Sequence, residues 1–504
     1  MTILCTVIGR NRHKMIQAEI QEAARQGAQM IELRLDYLTK SPDFKRLLAL
    51  KPCPLIATVR RQEDGGRWTG TEAARQMLLR QAVVAGFDWV DLETEVATVI
   101  GRFKNIKRIV SYHNLREIPD DLEELYLRMC EQDADVVKIA VRAQKVSDNL
   151  RVLKLMENPP VPTIALCLGD LGFPSRILAA KFGAPFIYAA FNIERTLSLG
   201  IPYFGEMKNT YFLEQVNQAT KVFGVIGDPI GHSLSPVIHN AAMRKLGING
   251  VYIPFRVPRG ELSVFLKAYE AIPVKGYSVT IPHKEAALAL AKTKDQTATI
   301  VGAANTLVMQ EDGFTAYNTD LDAFRDSLTA ALGASADGAA STLSGKGVLV
   351  LGAGGVARAV ARALQSEGAR ITVANRSSER AQDLAEDVGC RFVNWEARHN
   401  VISDLLINCT PVGMHPHIDE IPVHTSYLRP ELAVMDTIYT PENTLLIKEA
   451  SARGCKTVTG VEMFIRQAAT QFRLFTGQEA PLDLLRSIVK RALSPIALPE
   501  EEEG

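Results

Sequence analysis

The chain has 504 residues, and at about 150 residues per domain this length predicts roughly three domains. Its 57 basic residues balance its 57 acidic residues, which argues against a nucleic-acid-binding or membrane-surface protein, since both need a basic excess. No apolar run reaches the ~18 residues of a membrane span. No signal peptide opens the chain, so we expect a cytoplasmic protein that binds neither membranes nor nucleic acid. The seven scattered cysteines predict reduced thiols, with no disulfide framework and no metal site.

Eight short apolar runs in the first 190 residues have the β-branched composition of strands. They are Ile3–Val7, Met30–Leu33, Leu55–Val59, Trp89–Leu92, Arg108–Ser111, Val136–Ile139, Thr163–Leu166 and Phe186–Ala190. Helix-period sequence fills the intervals, for example over Glu72–Val84 and Leu122–Cys130. Because strands that alternate with helices are joined in parallel, residues 1–215 are predicted to form a (β/α)8 barrel, with an open doubly wound sheet as the alternative.

Polar side chains follow these strands at their carboxyl ends, where such a barrel builds its active site. They are Glu32, Arg34, Asp36, Arg60, Glu93, His113 and Lys138. Each one alone is an ordinary strand end. In a closed barrel, however, they would converge on one mouth, and this convergence indicates a site.

Lys138 interrupts the apolar run Asp135–Ala140, and two interpretations of it stay open. A lysine at a strand end can bury its apolar stem and keep its ammonium in water. Alternatively, an apolar site shared with Arg34 and Arg60 would favour the neutral amine, which can attack a ketone and form a Schiff base. His113 would then act as general acid and base near neutral pH.

The first 205 residues or so resemble type I 3-dehydroquinate dehydratases in the order and spacing of several segments. The segments are Ile31–Asp36, Thr58–Arg60, Gly65–Gly66, Val110–Asn114, Val137–Ala140 and Ser175–Arg176. The resemblance implies that Lys138 forms a Schiff base with 3-dehydroquinate and that His113 transfers protons, positioned by Asp64. It also implies that the substrate is bound by Glu32, Arg34, Arg60 and Arg176, of which Arg176 takes the carboxylate in a two-pronged contact.

Two positions depart from that family. Asp64 stands where glutamate is usual, so its reach is shorter by one methylene. Ile201 stands where the closing loop usually carries a glutamine that touches substrate. Either Ser198 or a shifted loop would compensate for that loss, or dehydration would be slow.

A second unit is predicted from residue 222, beginning with a substrate-binding domain over residues 222–335. The strand Val222–Ile226 leads into a loop rich in glycine and proline. In this loop Ser235 precedes Pro236, which is typical of a helix N-cap followed by proline at the first helical position. Ser235 therefore has a structural interpretation beside a functional one, and Ser233 is the better candidate ligand.

Small-residue turns further along carry a group of polar side chains. They are Thr280, Lys284, Asn305, Asn318 and Asp320. A single such charge is usually solvated, but the group together indicates a polar pocket.

A strand over residues 346–351 is followed by a glycine turn and a helix, the arrangement that brings a pyrophosphate to backbone N–H groups. The turn consists of Gly352, Ala353, Gly354, Gly355, Val356 and Ala357. The next strand ends without an acidic residue. Asn375, Arg376 and Ser377 stand there instead and favour the 2′-phosphate of NADP over the ribose hydroxyl of NAD.

The predicted NADP domain spans residues 340–460, and Thr410 and Gly460 are further candidates for its cofactor pocket. Helices over 461–495 are predicted to return to the substrate domain. The small residues of 333–345 predict a linker or loop, and the acidic run Glu500–Glu503 predicts a solvated end.

Residues 222–490 resemble shikimate dehydrogenases in the order of these motifs. The resemblance implies that Lys284 and Asp320 form the proton-transfer pair and that NADPH delivers hydride to the ketone of 3-dehydroshikimate. It further implies a substrate shell made of Ser233, Ser235, Thr280, Asn305, Tyr439 and Gln467.

The product of the first implied reaction is the substrate of the second, which predicts one bifunctional enzyme acting on 3-dehydroquinate and 3-dehydroshikimate. Two alternatives stay open. In the first, the chain senses quinate or shikimate without turnover. In the second, the dehydrogenase half prefers quinate, which differs by a hydroxyl that polar site groups can select.

Overall fold

The computed structural model describes residues 2–195, 197–198, 200–231, 233–333, 343–415 and 417–494. Most of the predicted linker 333–345 and the whole acidic tail Glu500–Glu503 lie outside the described residues. Within them, no helix has both the length and the apolar character needed to cross a bilayer. All seven cysteines are described, and each is a free thiol.

The first sheet has eight parallel strands in the order β7-β6-β5-β4-β3-β2-β1-β8, so the predicted barrel is confirmed. The strands are β1 (Ile3–Ile8), β2 (Met30–Arg34), β3 (Leu55–Thr58), β4 (Trp89–Glu93), β5 (Lys107–Asn114), β6 (Val136–Arg142), β7 (Thr163–Leu168) and β8 (Phe186–Ala190). The helices are α1 (His13–Arg25), α2 (Phe44–Leu48), α3 (Glu72–Ala85), α4 (Thr94–Ala97), α5 (Leu122–Cys130), α6 (Asp148–Lys154), α7 (Phe173–Lys181) and α8 (Phe204–Asn209).

Strand register brings polar side chains into one layer of the barrel interior. Glu93 on β4 pairs with Ser111 on β5, and Ser111 pairs with Lys138 on β6. All three are buried. Because side chains alternate along a strand, Asp91 shares the inward face of β4 with Glu93.

The second sheet has six strands in the order β10-β9-β11-β13-β14-β12. They are β9 (Lys221–Gly227), β10 (Gly250–Arg256), β11 (Val274–Val279), β12 (Thr293–Lys294), β13 (Thr306–Gln310) and β14 (Gly313–Tyr317). The accompanying helices are α9 (Ser235–Lys245), α10 (Leu262–Ala268), α11 (Lys284–Leu290), α12 (Gln296–Val301) and α13 (Asp320–Leu332).

The third sheet is parallel throughout, in the order β17-β16-β15-β18-β19-β20, which confirms the predicted Rossmann-like lobe. Its strands are β15 (Gly347–Leu351), β16 (Arg370–Asn375), β17 (Arg391–Asn394), β18 (Leu405–Asn408), β19 (Ala433–Asp436) and β20 (Lys456–Val458). Its helices are α14 (Gly355–Ser366), α15 (Ser378–Val388), α16 (Leu445–Ala452), α17 (Val461–Thr476) and α18 (Leu482–Leu493). Helix α17 packs against α13.

The chain forms two compact units that interleave in sequence. The first contains residues 1–224 and 243–274, and the second contains residues 225–242 and 275–504. Strand β9 crosses this division. The first unit therefore holds the barrel together with β10 and α10, and the second holds the remaining strands and the Rossmann-like lobe.

Candidate active sites

The barrel contains a cavity of about 480 Å³ at the carboxyl ends of its strands. Its wall includes six residues predicted to form a site there, namely Glu32, Arg34, Arg60, His113, Lys138 and Arg176, together with Asp64. Tyr188, Ser198 and Ile201 also line it. Of the seven strand-end residues predicted to converge on one mouth, five line this cavity, whereas Asp36 and Glu93 do not.

Lys138 lies among two carboxylates and an aromatic ring. Its Nζ is 3.1 Å from Oδ2 of Asp91, 3.8 Å from Oε2 of Glu32 and 3.9 Å from the centroid of the Tyr188 ring. The cations Arg34 and Arg60 are therefore not the only charges near this amine. Two opposite charges offset them, so repulsion between cations does not by itself account for a neutral amine.

Arg60 binds the same carboxylates from the other side. Its guanidinium lies 2.7 Å from Asp91 and 2.8 Å from Glu93, and it donates to the Ser111 hydroxyl at 2.9 Å. Burial alone would raise the pKa of Asp91, but Arg60 and Lys138 hold it far below its ordinary value. Asp91 is therefore an anion shared by two cations. Sequence reasoning missed it and named only Glu93, although the two-residue spacing on β4 could have shown it.

His113 is a buried histidine with cationic neighbours. Burial and the neighbouring cations Arg60 and Lys138 lower the pKa of its imidazole well below the usual value. Its Nδ1 is buried and has no hydrogen-bond partner in the described part of the chain. A neutral imidazole at neutral pH can accept a proton from a substrate carbon.

The predicted contact between Asp64 and His113 is not formed in the structure. Oδ2 of Asp64 instead lies 2.6 Å from Nε of Arg61, three residues earlier. Asp64 still lines the cavity.

Two arginines supply the cavity with positive charge. Arg34 is held by two hydrogen bonds to the carboxylate of Asp36, at 3.0 and 2.9 Å. Arg176 is 2% exposed, and burial lowers its pKa to about 10, so it stays a cation at neutral pH. Its Nη2 lies 3.4 Å from Oγ of Ser198, in the loop where Ile201 is also buried.

A second site lies in the second unit, around a buried ion pair. Nζ of Lys284, the first residue of α11, is 2.6 Å from Oδ2 of Asp320, the first residue of α13. The apolar stem of Lys284 lies against the glycine turn, since a Cβ at Gly355 would be only 2.7 Å from its Cδ. The predicted proton-transfer pair is thus adjacent to the predicted nucleotide turn.

Two asparagines fix the turn that carries Asp320. Oδ1 of Asn318 accepts the N–H of Asp320 at 3.0 Å. The carboxamide of Asn305 accepts the N–H of Thr319 and donates to its hydroxyl, both at 2.9 Å. Asn305 was predicted as a substrate ligand, and its side chain also organises this turn.

A hydrogen bond joins the side chains of Ser233 and Tyr439, and it opposes the rise that burial causes in the pKa of Tyr439. Helix α9 begins at Ser235 itself, and the hydroxyl that accepts its backbone N–H, at 3.3 Å, belongs to Ser233. The helix therefore starts one residue earlier than the N-cap interpretation of Ser235 requires, and Ser233 contributes a hydrogen bond to its first N–H. Thr280 packs its methyl group against Gly227. Gln467, on α17, donates to the backbone oxygen of Phe464.

The glycine turn has the shape that a pyrophosphate requires. Gly352 has a φ of +114°, and a Cβ there would lie 3.0 Å from the backbone oxygen of Cys409, so glycine is needed. A Cβ at Gly354 would meet nothing within 4 Å, which leaves open space beside the amino end of α14 at Gly355. A phosphate can approach that helix end closely.

The end of β16 is also compatible with NADP. Asn375 is partly buried, while Arg376 and Ser377 are exposed. Ser377 caps α15 by accepting the N–H of Arg380, at 3.4 Å. The Ser377 hydroxyl thus follows the exposed Arg376 directly in sequence, and a hydroxyl together with a guanidinium is suited to a phosphate.

Asp436 was not singled out in the sequence, although its buried carboxylate joins the ends of β18 and β19. Its carboxylate accepts from the Asn408 side chain at 3.1 Å and from the Ile438 N–H at 3.0 Å. Asn408 in turn accepts from the hydroxyl of Thr410 at 2.6 Å. Burial raises the pKa of Asp436 to about 7. Gly460 lies so close to the backbone of Ile438 that a Cβ would be 2.6 Å from its oxygen.

Among the described residues, no cluster of three or more His, Cys, Asp or Glu side chains is arranged to hold a metal ion.

Four family models match the chain. The model for type I 3-dehydroquinase matches residues 4–218, and the shikimate dehydrogenase substrate-binding domain matches residues 225–307. The shikimate/quinate 5-dehydrogenase model matches residues 334–413, and the shikimate 5′-dehydrogenase C-terminal domain matches residues 460–490.

The chain is similar to proteins that match almost all of it and to others that match about half of it. The bifunctional 3-dehydroquinate dehydratase/shikimate dehydrogenase of Arabidopsis thaliana, a chloroplastic protein, is 35% identical over 97% of this chain and 84% of its own. The shikimate dehydrogenase (NADP(+)) of Methanosarcina acetivorans is 42% identical over 54% of this chain and 99% of its own. A crystal structure of a shikimate dehydrogenase in complex with NADP+ is 35% identical, with a TM-score of 0.50, over 55% of this chain and 97% of that chain.

Proposed function

Because the chain belongs to the family of bifunctional 3-dehydroquinate dehydratase/shikimate dehydrogenases, we propose that its two sites carry out these consecutive reactions through the residues described above. The barrel dehydrates 3-dehydroquinate to 3-dehydroshikimate, and the second unit reduces that product to shikimate with NADPH. The observation that carries the proposal is the presence of one complete reactive pair at each site. Lys138 and His113 share the barrel cavity, and Lys284 and Asp320 meet beside the glycine turn.

Dehydration proceeds through a Schiff base at Lys138. The neutral amine attacks the C3 ketone of 3-dehydroquinate, and loss of water gives a protonated imine. His113 removes a proton from C2, and the imine nitrogen takes up the electron pair, giving an enamine. The enamine then expels the C1 hydroxyl, which leaves as water with the proton from His113. Hydrolysis releases 3-dehydroshikimate and restores the amine.

The charged groups around the cavity divide into two kinds. Asp91 and Glu32 stabilise the positive charge of the imine as it forms, because both carboxylates already face Nζ of Lys138. Arg176 binds the substrate carboxylate and thereby orients the ring. Arg34 and Arg60 are held by carboxylates of the protein, so they add positive charge to the wall with little freedom to move.

Reduction takes place at the pair Lys284 and Asp320. NADP(H) supplies the hydride when it is bound. Lys284 donates a proton to the ketone oxygen of 3-dehydroshikimate, and Asp320 keeps its ammonium oriented. The hydroxyls of Ser233, Ser235, Thr280 and Tyr439 and the amides of Asn305 and Gln467 hold the substrate.

The cofactor is bound along the Rossmann-like lobe. Residues 352–357 would hold the pyrophosphate at the amino end of α14, and Arg376 with its neighbours Asn375 and Ser377 would bind the 2′-phosphate. Thr410 and Gly460 would close the nicotinamide side. The open space at Gly354 and the exposed guanidinium of Arg376 support this placement.

One assay with two variants tests both sites in the full chain. The protein is mixed with 3-dehydroquinate while the ultraviolet absorbance of the conjugated enone is followed, and NADPH is then added. We expect enone formation followed by NADPH oxidation. Lys138→Ala should abolish enone formation from 3-dehydroquinate but keep NADPH oxidation when 3-dehydroshikimate is supplied, and borohydride should trap substrate on the parent but not on this variant. Lys284→Ala should abolish only the second step. Enone formation in Lys138→Ala, or a trapped adduct on it, would overturn the Schiff-base assignment.

A further inference from the structure

Tyr269 comes from the stretch matched by the shikimate dehydrogenase substrate-binding model, yet it belongs to the same compact unit as the barrel. It is 2% exposed, and its ring packs on Phe255 and Phe265 with centroids 5.1 and 4.6 Å away. Its hydroxyl donates to the backbone oxygen of Val146 at 3.2 Å. Val146 lies in the loop between β6 and α6 of the barrel, so a residue of the dehydrogenase half completes a loop of the dehydratase.

Asn149 donates to the same backbone oxygen as Tyr269. This fully buried residue of α6 donates to the same Val146 oxygen at 2.7 Å and to the backbone oxygen of Leu171 at 2.8 Å. Its Oδ1 accepts the backbone N–H of Ser175 at 3.3 Å. One amide thus joins the β6–α6 loop to the first turn of α7.

Ser175 carries the connection to the cavity. Its buried hydroxyl donates to the backbone oxygen of Gly172 and accepts the N–H of Cys167, both at 2.7 Å. These bonds lock the first turn of α7 to the end of β7. Arg176 is the next residue, so these bonds set the backbone position from which its side chain enters the cavity.

We propose that Tyr269 is a positioning residue for the dehydratase, because its hydroxyl fixes Val146 and Asn149 and thereby the aim of Arg176 at the substrate carboxylate. The proposal rests on the role given to Arg176 above. A ring alone would fill the space between Phe255 and Phe265. Only the hydroxyl reaches the barrel loop.

The test is Tyr269→Phe in the full chain, which keeps the ring and removes the hydroxyl. We expect the KM for 3-dehydroquinate to rise about three- to tenfold, the effect of one buried hydrogen bond, with kcat changed less than about twofold. Reduction of 3-dehydroshikimate by the same chain should keep its kinetic constants. Tyr126→Phe is the matched control, because this buried tyrosine shares a hydrogen bond with Thr163 at the opposite end of β7. It should lower stability without changing KM.

Two further variants separate the possible outcomes. Arg176→Lys should raise the KM for 3-dehydroquinate about tenfold or more, and an unchanged KM there would remove the role of Arg176 itself. Asn149→Ser should raise KM as Tyr269→Phe does, and the double variant should be no worse than the more affected single one, because both act on one connection. Additive effects would overturn the proposal. It would also be overturned if Tyr269→Phe lowered the thermal midpoint without changing KM, or altered both activities alike.

Discussion

Oδ2 of Asp91 lies 3.1 Å from Nζ of Lys138 and 2.7 Å from Nη2 of Arg60, so one carboxylate oxygen faces two buried cations. This arrangement fixes Lys138 in space. It also means that the two cations share one anion, in addition to Glu93 beside Arg60 and Glu32 beside Lys138.

Asp91→Asn should lower the dehydratase kcat at least tenfold, because the developing imine cation loses a facing charge. Without the carboxylate, Arg60 and Lys138 lose the anion that they share. Borohydride trapping at a fixed pH would show this as slower formation of the adduct. Glu95→Gln, at an exposed carboxylate nearby, should behave as the parent. An unchanged kcat and an unchanged rate of trapping in Asp91→Asn would contradict the shared-anion arrangement.

The pH dependence of dehydration should reflect the lowered pKa of His113. The base is inactive only when protonated, and burial beside Arg60 and Lys138 moves that protonation well below pH 6.5. We therefore expect kcat/KM for 3-dehydroquinate to stay level as pH falls through 6.5 and to decline only at more acid values. A decline centred near pH 6.5 that disappears in a His113 variant retaining residual activity would show an ordinary, solvated imidazole instead.

Two adjacent glycines should respond differently to alanine. At Gly355 a methyl group would press on the stem of Lys284, so Gly355→Ala should lower the dehydrogenase kcat about tenfold or more by displacing the ammonium. At Gly354 the methyl meets only open space, so Gly354→Ala should mainly raise the KM for NADPH. Steady-state kinetics with both substrates varied separates the two. Identical effects on kcat would argue against the contact with Lys284.

Arg376→Ala should raise the KM for NADPH much more than that for NADH, because only NADPH carries the 2′-phosphate. Loss of a charge-assisted contact predicts about a tenfold selective effect. Arg370→Ala serves as a control, since this arginine begins β16 at the opposite end of the strand. Equal increases for the two cofactors would remove the argument from charge.

His239 should make the second unit acid-sensitive. Burial beside Phe472 lowers its pKa to about 3, against about 6.5 in the unfolded chain. Between these values the unfolded state binds the extra proton, so the free energy of unfolding falls as pH falls below 6.5, by up to about 1.4 kcal/mol per pH unit. His239→Gln removes that dependence. Thermal midpoints from pH 7 to 4.5 should fall less steeply in this variant, while the exposed-site variant His417→Gln should parallel the parent. Parallel curves for His239→Gln would refute the assignment.

Much of the fold could be predicted from local pattern. Strand Phe186–Ala190 and helix Leu122–Cys130 have the predicted bounds, because both are apolar segments closed off by turn residues. Strand β6 runs three residues further than predicted, to Arg142, since pairing with two neighbours extends a strand past its most apolar part.

The site was harder to predict where one side chain had to choose among partners. Asp64 binds Arg61, a cation three residues away in sequence, and no motif predicts which nearby side chain an acidic residue will bind. Asp91 sits within an apolar strand, where an acidic residue is interpretable only once the facing Lys138 and Arg60 are known. The interleaving of the two units has no local signature, because it depends on contacts such as that between Tyr269 and Val146.

That interleaving affects the order in which the two units can fold during synthesis. The last barrel strand leaves the ribosome long before Tyr269 does, and the 18 residues 225–242 separate the two segments of the first unit, a delay of about 1–4 s at usual translation rates. Residues 225–242 emerge within this interval but belong to the second unit. Their packing can be completed only after residues from Lys275 onward, which make up the rest of the second unit, have been synthesised. The first unit can therefore be complete before the second unit has been fully synthesised.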